Sequence, residues 1–213
     1  MGERGVGGKP TDGPVSRYIN RRLSNPITRF IVRHNIDVTP NQMSILSAFI
    51  GMLSLPLYIL NNPVLAGILV QVSSVLDGVD GELARARNIV SRRGGFLDAC
   101  LDRYTDFIIL AGASLYTLQK YGGILTYVSI LLALAGSILV SYIHARGEKD
   151  LGIHPATIGV FPNIASRDVR LFIIFLGSII DQLLYTLLIL GVITNIYFIV
   201  KILETYGEAK DCS

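Results

Sequence analysis

The chain has 213 residues and a formal net charge of +3, with 51% hydrophobic but only 16% charged residues. A soluble domain of this length carries about a quarter charged residues, so a mean hydropathy of +0.51 excludes an ordinary water-soluble globule and points to a membrane protein. The two cysteines, Cys100 in an apolar stretch and Cys212 near the end, offer neither a metal-binding spacing nor a disulfide framework.

In chain order, residues 1–13 are Gly-rich and polar and read as a flexible leader or junction, with no apolar run to serve as a signal peptide. Residues 14–36 differ in kind. Val15, Tyr18, Ile19, Leu23, Ile27, Phe30 and Ile31 recur at roughly helical spacing, while Arg17, Arg21, Arg22, Arg29 and Arg33 fill much of the opposite face. This pattern predicts a basic amphipathic helix lying in the membrane interface, bent at Pro26. A nucleic-acid-binding helix shares the pattern, but the apolar chain that follows argues against a nucleic-acid partner.

Residues 37–205 predict six transmembrane helices, so the fold class is all-α and polytopic. Thr39-Pro40-Asn41-Gln42 opens the first as a capping box with proline in the first turn, and the apolar stretch runs to about Leu60. A second span starts near Pro63 and continues through Asp77 and Asp80 towards Arg87. A third runs from about Gly95 to Leu118, and a fourth from Ile124 to about Ala145. Residues 146–166 read as a loop. A fifth span begins near Arg167, turns at Asp181-Gln182 into a sixth that ends around Leu203, and leaves 206–213 as a tail. Cys100 reads as a small packing residue. Arg and Lys gather in the leader, near 85–93 and at 146–170. The positive-inside rule therefore places both termini and these loops in the cytoplasm, which an even number of spans allows.

The informative stretch is residues 76–106. Asp77, Asp80, Gly81 and Ala84 fall on one helical face, and on the next helix Gly94, Asp98 and Asp102 recur every four residues, again on one face. Two consecutive antiparallel helices thus aim paired carboxylates at a common space. An ionised Asp at the centre of a lipid-embedded helix costs about 2.5–3.5 kcal/mol, so the cluster needs an aqueous end and neutralising cations. Hard divalent ions on carboxylate oxygens suit it, and paired ions would steady the attacking and leaving oxygens of a displacement at phosphorus. Gly81 and Ala84 leave room beside the acids, and Arg85 suits a phosphate. Taken singly, the glycine and alanine also fit small-residue helix packing, and the acids fit surface charges at a helix end.

The spacing D-x-x-D-G-x-x-A-R, eight residues, then G-x-x-x-D-x-x-x-D resembles that of the CDP-alcohol phosphatidyltransferase family. It is met by Asp77, Asp80, Gly81, Ala84, Arg85, Gly94, Asp98 and Asp102. The resemblance implies an integral membrane homodimer, bathed in membrane lipid, that transfers a phospho-alcohol from a CDP-alcohol donor to a polar phosphorylated acceptor and releases CMP. It implies Mg²⁺ or Mn²⁺, two ions, on Asp77, Asp80 and Asp98, with Asp102 as general base that also touches metal. Gly81, Ala84 and Arg85 would hold the CDP moiety. Arg146, Arg167 and Arg170 would bind the acceptor phosphate, although all three also suit positive-inside anchoring. The segment Asp12–Arg22 further resembles the junction of archaeal and thermophilic bifunctional proteins, in which a cytidylyltransferase domain precedes the membrane transferase. That favours CDP-inositol and inositol 1-phosphate as substrates. A phospholipid synthase using CDP-diacylglycerol or CDP-archaeol is the alternative. A divalent-cation transporter is a third reading, which acids confined to the second and third spans disfavour. His144 and His154 could titrate usefully, but nothing in the sequence places either near the carboxylates.

Overall fold

The computed structural model describes residues 12–159 and 163–211, so the leader up to residue 11 and Cys212 lie outside the described residues. Every regular element among those described is helical. The chain enters through a π-helical turn, Ser16–Asn20, and continues without a break into helix α1, Arg21–Arg33, with Pro26 inside it. Tyr18, Leu23 and Phe30 are exposed on its outer side. The inner side is polar, and Asn20, Ser24 and Thr28 are buried against α4.

The capping box forms as expected: Thr39 Oγ1 accepts from Gln42 N–H at 3.3 Å, and Gln42 Oε1 accepts from Thr39 N–H at 2.8 Å. Helix α2, Pro40–Met52, is followed after Leu53 by α3, Ser54–Ile59. Pro56 cannot donate back along the helix, which accounts for the interruption within one apolar run. Helix α4 is Pro63–Ala86, α5 Arg92–Lys120 and α6 Ile124–Arg146. Residues 147–151 then form another π-helical turn and Pro155–Thr157 a 3₁₀ turn. Helix α7 spans Arg167–Ile179, and α8 runs from Leu183 to Asp211, past the end expected near Leu203. The turn between them holds Asp181 at φ 55°, a left-handed conformation that Asp tolerates better than most residues.

Four stretches are long and apolar enough to cross a membrane: Pro40–Ile59, Pro63–Ala86, Ile124–Leu151 and Leu183–Glu208. Two of the expected spans fall short for different reasons. Helix α5 carries Arg92, Arg93, Asp98, Asp102, Arg103 and Asp106 in its first half. Helix α7 has 13 residues, about 20 Å at 1.5 Å per residue, against a hydrocarbon core of about 30 Å.

The core joins α3, α4, α5, α6, α7 and α8 through Tyr58, Val70, Ile109, Ala133, Ile174 and Leu187. Small residues let the helices close up, as membrane-helix interfaces require. A Cβ on Gly112 would lie 2.8 Å from the Tyr58 ring and 3.0 Å from Leu55 Cα. Cys100, expected to pack inside, is instead exposed, because it sits two residues from Asp98 and from Asp102 and so faces away from them. The two ends of the bundle differ in charge. One end holds a single ion pair between described residues, Lys120 to Asp181 at 2.5 Å, where hydrogen bonds from Lys120 and Tyr116 hold the Asp181 carboxyl below its usual range. At the other end lie the C-terminal turns of α4, the first half of α5 and the start of α7, with all the remaining aspartates described below.

Candidate active site

Helix α5 begins nearly two turns ahead of its acids because Ser91 caps it, its Oγ accepting from Gly94 N–H at 3.0 Å. Regular helix from there keeps Asp98, Asp102 and Asp106 in register on one face. The last turns of α4 bring Asp77 and Asp80 opposite. Carboxylate oxygens of Asp77, Asp98 and Asp102 lie within 4.8 Å of one another. Asp77 Oδ1 is buried without a hydrogen-bond partner. Three converging carboxylates and an orphaned oxygen suit a hard divalent cation, and the donor set is all oxygen. The fourth expected ligand, Asp80, stands beside this group. Its carboxylate accepts hydrogen bonds from the Ser44 hydroxyl on α2 and from Gly81 N–H.

Two cavities meet at this cluster. The first, about 350 Å³, runs from the aspartates to α1, α6 and α7. The second, about 450 Å³, opens between the starts of α2 and α5 and the end of α4, lined by Asn41, Ser44, Ala84, Ile89, Val90 and Gly94. Asp80, Gly81, Arg85 and Asp98 border both. The residues expected to hold a CDP group, Gly81, Ala84 and Arg85, are therefore gathered on one wall. A Cβ on Gly94 would lie 3.1 Å from Asn41 Oδ1, so the absence of a side chain there keeps α2 and α5 close.

The basic residues divide. Arg167 Nη1 lies 2.8 Å from Asp77 Oδ2 and 3.0 Å from Asp102 Oδ1, and its Nε donates to Asp106 Oδ1 at 2.8 Å. Arg170, buried, donates to Asp106 Oδ2 at 3.2 Å and to Ser137 C=O at 2.5 Å. Both line the first cavity. Arg146 does not. It pairs with Asp150 at 2.5 Å and is half exposed, because it follows the cavity-lining His144 by two residues and so leaves α6 on the far face.

Several residues at the site carried no signal in the sequence. Asp106 continues the every-fourth-residue row yet serves the arginines rather than the carboxylate group. His144 and His154, which the sequence could not place, both line the first cavity, with ring centroids 4.9 Å apart. His144 Nε2 is 3.0 Å from Tyr197 Oη. Burial holds the His154 imidazole below its usual range. The loop carrying His154 is anchored by Lys201, fully buried, whose Nζ donates to Ile158 C=O at 2.7 Å. Glu82 is buried and accepts from Arg21, Ser24 and Thr28 at 2.6, 2.6 and 2.7 Å, which fixes α1 against α4.

With this geometry in place, comparison with known proteins settles the family. The sequence profile of CDP-alcohol phosphatidyltransferases matches residues 37–203. The chain belongs to the CDP-alcohol phosphatidyltransferase family. It is 36% identical over 170 residues to the archaetidylinositol phosphate synthase of Pyrococcus horikoshii, covering 80% of this chain and 85% of that protein. It is 38% identical over 203 residues to the bifunctional IPC transferase and DIPP synthase of Thermococcus kodakarensis, covering 89% of this chain but 45% of that protein. The chain thus spans less than half the length of that bifunctional relative. Among solved structures, the phosphatidylinositol phosphate synthase of Mycobacterium tuberculosis with CDP-DAG bound has the same fold. Its TM-score is 0.73 at 24% identity, over 87% of this chain and 94% of that one. The same synthase in complex with manganese and citrate gives a TM-score of 0.69 at 23% identity, over 86% and 88%.

Proposed function

We propose that this chain is a divalent-metal-dependent CDP-alcohol phosphotransferase that joins CDP-inositol to inositol 1-phosphate and releases CMP. The observation that carries the reaction class is the convergence of Asp77, Asp98 and Asp102 on the first cavity, which meets the second at Asp80 and Asp98. On this reading the second cavity, with Gly81, Ala84 and Arg85 on its wall, takes the nucleotide, and the first, with Arg167 and Arg170, takes the acceptor. Mg²⁺ or Mn²⁺, as two ions, would be held by these aspartates with Asp80. When bound, they supply the positive charge that a diphosphate needs as its bridging bond breaks. The acceptor hydroxyl oxygen forms the new bond to the alcohol-bearing phosphorus, the P–O–P bond breaks, and CMP leaves with the electron pair. Asp102 takes the hydroxyl proton, Arg85 steadies the donor phosphates, and Arg167 and Arg170 face the acceptor phosphate. Gly81 and Ala84 keep the wall beside the nucleotide low.

Similarity over 89% of this chain to a bifunctional DIPP synthase supports the inositol donor. One finding favours a second reading, a phospholipid synthase using CDP-archaeol or CDP-diacylglycerol with inositol phosphate: the chain covers 85% of an archaetidylinositol phosphate synthase. The decisive measurement is CMP release by purified protein with inositol 1-phosphate and each of the three donors, in Mg²⁺ or Mn²⁺. Turnover with CDP-inositol alone supports the first reading, and turnover with a lipid donor alone replaces it with the second. No turnover with any of them sinks both.

The membrane arrangement belongs to the same proposal. Helices α5 and α7 complete six spans, with their polar starts turned into the site, and α1 lies in the interface with Tyr18, Leu23 and Phe30 toward lipid. Arginines concentrated at the site end support a cytoplasmic active site and cytoplasmic termini. The active unit is a homodimer, as the resemblance implies.

A further inference from the structure

The position of Arg167 is unusual for a residue that only binds an acceptor. Its guanidinium is held from two sides. Nη1 reaches one oxygen of Asp77 and one of Asp102, both in the three-carboxylate group, at 2.8 and 3.0 Å. Nε is held at 2.8 Å by Asp106, which stands outside that group. Asp106 is itself fixed by Arg170 at 3.2 Å. The side chain of Arg167 is 15% exposed, so water screens these contacts weakly. Carboxylates this close repel unless a cation stands among them, and here the cation is covalently part of the chain.

From this geometry we propose that Arg167 is a resident counter-ion of the metal site. It neutralises Asp77 and Asp102 in the metal-free protein and gives them up to an incoming divalent ion while Asp106 keeps its Nε in place. The proposal rests on the metal-site reading above. The oxygens that Nη1 occupies belong to two of the three carboxylates that would ligate the ion, and a guanidinium and a divalent cation cannot share them without like-charge repulsion. Asp106 acts as the pivot, because it has no part in the carboxylate group and loses nothing when the ion arrives. The released Nη1 remains on the wall of the first cavity, where the acceptor phosphate is expected. Metal entry and acceptor capture are thereby placed in order by one side chain. The metal affinity of the natural protein is set lower than its aspartates alone would give.

The test is Mn²⁺ binding to the purified full chain, followed by the electron paramagnetic resonance signal of free Mn²⁺, with no substrate present. Arg167→Gln should bind Mn²⁺ about tenfold more tightly or better, because a competing unit charge is gone. Arg167→Lys should fall between that variant and the natural protein, since a single ammonium cannot span Asp106 and both ligands. Arg146→Gln, which removes the same charge outside the cavity, should bind as the natural protein does. Thermal unfolding gives an independent reading. In EDTA, Arg167→Gln should melt below the natural protein, and saturating Mn²⁺ should close the gap. Equal or weaker Mn²⁺ binding by Arg167→Gln, with a melting gap that Mn²⁺ leaves unchanged, overturns the proposal. If Arg167→Gln does not fold, unchanged affinity in Arg167→Lys overturns it instead. If the natural protein binds no Mn²⁺, or Asp98→Asn binds it as well as the natural protein, the metal-site reading itself has failed.

Discussion

The two cavities assigned above to the donor and to the acceptor, the donor half and the acceptor half of the proposed site, are built in opposite ways. The donor half comes mainly from two helices joined by a short turn, with Asn41 and Ser44 of α2 completing its lining, and its acids, small residues and Arg85 lie between Asp77 and Asp102 of one continuous stretch. The acceptor half is assembled from α1, α6, α7 and the loop before α7. Its members are His144, His154, Arg167 and Arg170, supported by Asp106, Tyr197 and Lys201. One half is a local motif, and the other exists only once distant helices have packed. Helical periodicity can therefore specify the first, while the second depends on which faces meet.

Removing Asp102 tests the comparison most severely. If the donor half does the chemistry, Asp102→Asn should lower transfer by roughly 10²–10⁴-fold while CDP-alcohol binding persists. Steady-state CMP release beside equilibrium donor binding reads this, and a variant that keeps more than a tenth of its activity removes Asp102 as the base. The next effect concerns the frame shared by both halves. Glu82→Leu strips the partner from Arg21, Ser24 and Thr28, and breaking a buried ion pair from one side costs about 3–5 kcal/mol. Its thermal unfolding should shift down accordingly, and an unchanged melting point would show that α1 is not fastened through this carboxylate.

Ser44→Ala sharpens the comparison at smaller scale. Asp80 loses a side-chain donor worth about 1 kcal/mol, so the donor KM should rise by roughly fivefold with the acceptor KM unmoved. A change in the acceptor KM instead would place Asp80 on the wrong side of the site. The smallest effect is expected from Arg146→Gln. Its ion pair with Asp150 is on the surface and contributes little, so the acceptor KM should stay within about twofold of the natural value. Arg170→Gln should raise it well beyond that, and similar behaviour in the two variants would mean that the acceptor wall has been misassigned.

The same asymmetry explains what the sequence made legible. The capping box at Thr39, the start of α7 at Arg167 and the turn at Asp181-Gln182 are where local chemistry places them. The aspartate faces follow from regular helix. Arg146, Arg167 and Arg170 look alike in composition, yet a rotation of about 200° between His144 and Arg146 takes Arg146 out of the site. Asp80 parts from the carboxylate group because Ser44, on a helix not adjacent in sequence, draws its oxygen away. Glu82 is wholly buried by partners 54 or more residues away, and Lys201, paired with Glu204 three residues on, is also fixed to a carbonyl 43 residues away; no periodicity reveals the long-range contacts. The six-span expectation shows the limit of hydropathy. Helix α5 carries the carboxylates of the candidate site in its first half, and those residues remove the apolar signal there.

One contact at the beginning of the described chain carries a mechanical meaning. Ser16 N–H donates to Asp168 at 2.5 Å, and a Cβ on Gly13 would collide with Ser166 Oγ and the Asp168 carboxylate. The stretch ahead of α1 is thus stitched to the first turn of α7, one peptide bond from Arg167. A load applied ahead of Asp12 would reach the start of α7 through this seam and α4 through the Asp12–Arg21–Glu82 chain of ion pairs. The seam between the entering chain and the bundle is, in engineering terms, a strain gauge mounted on the candidate active site.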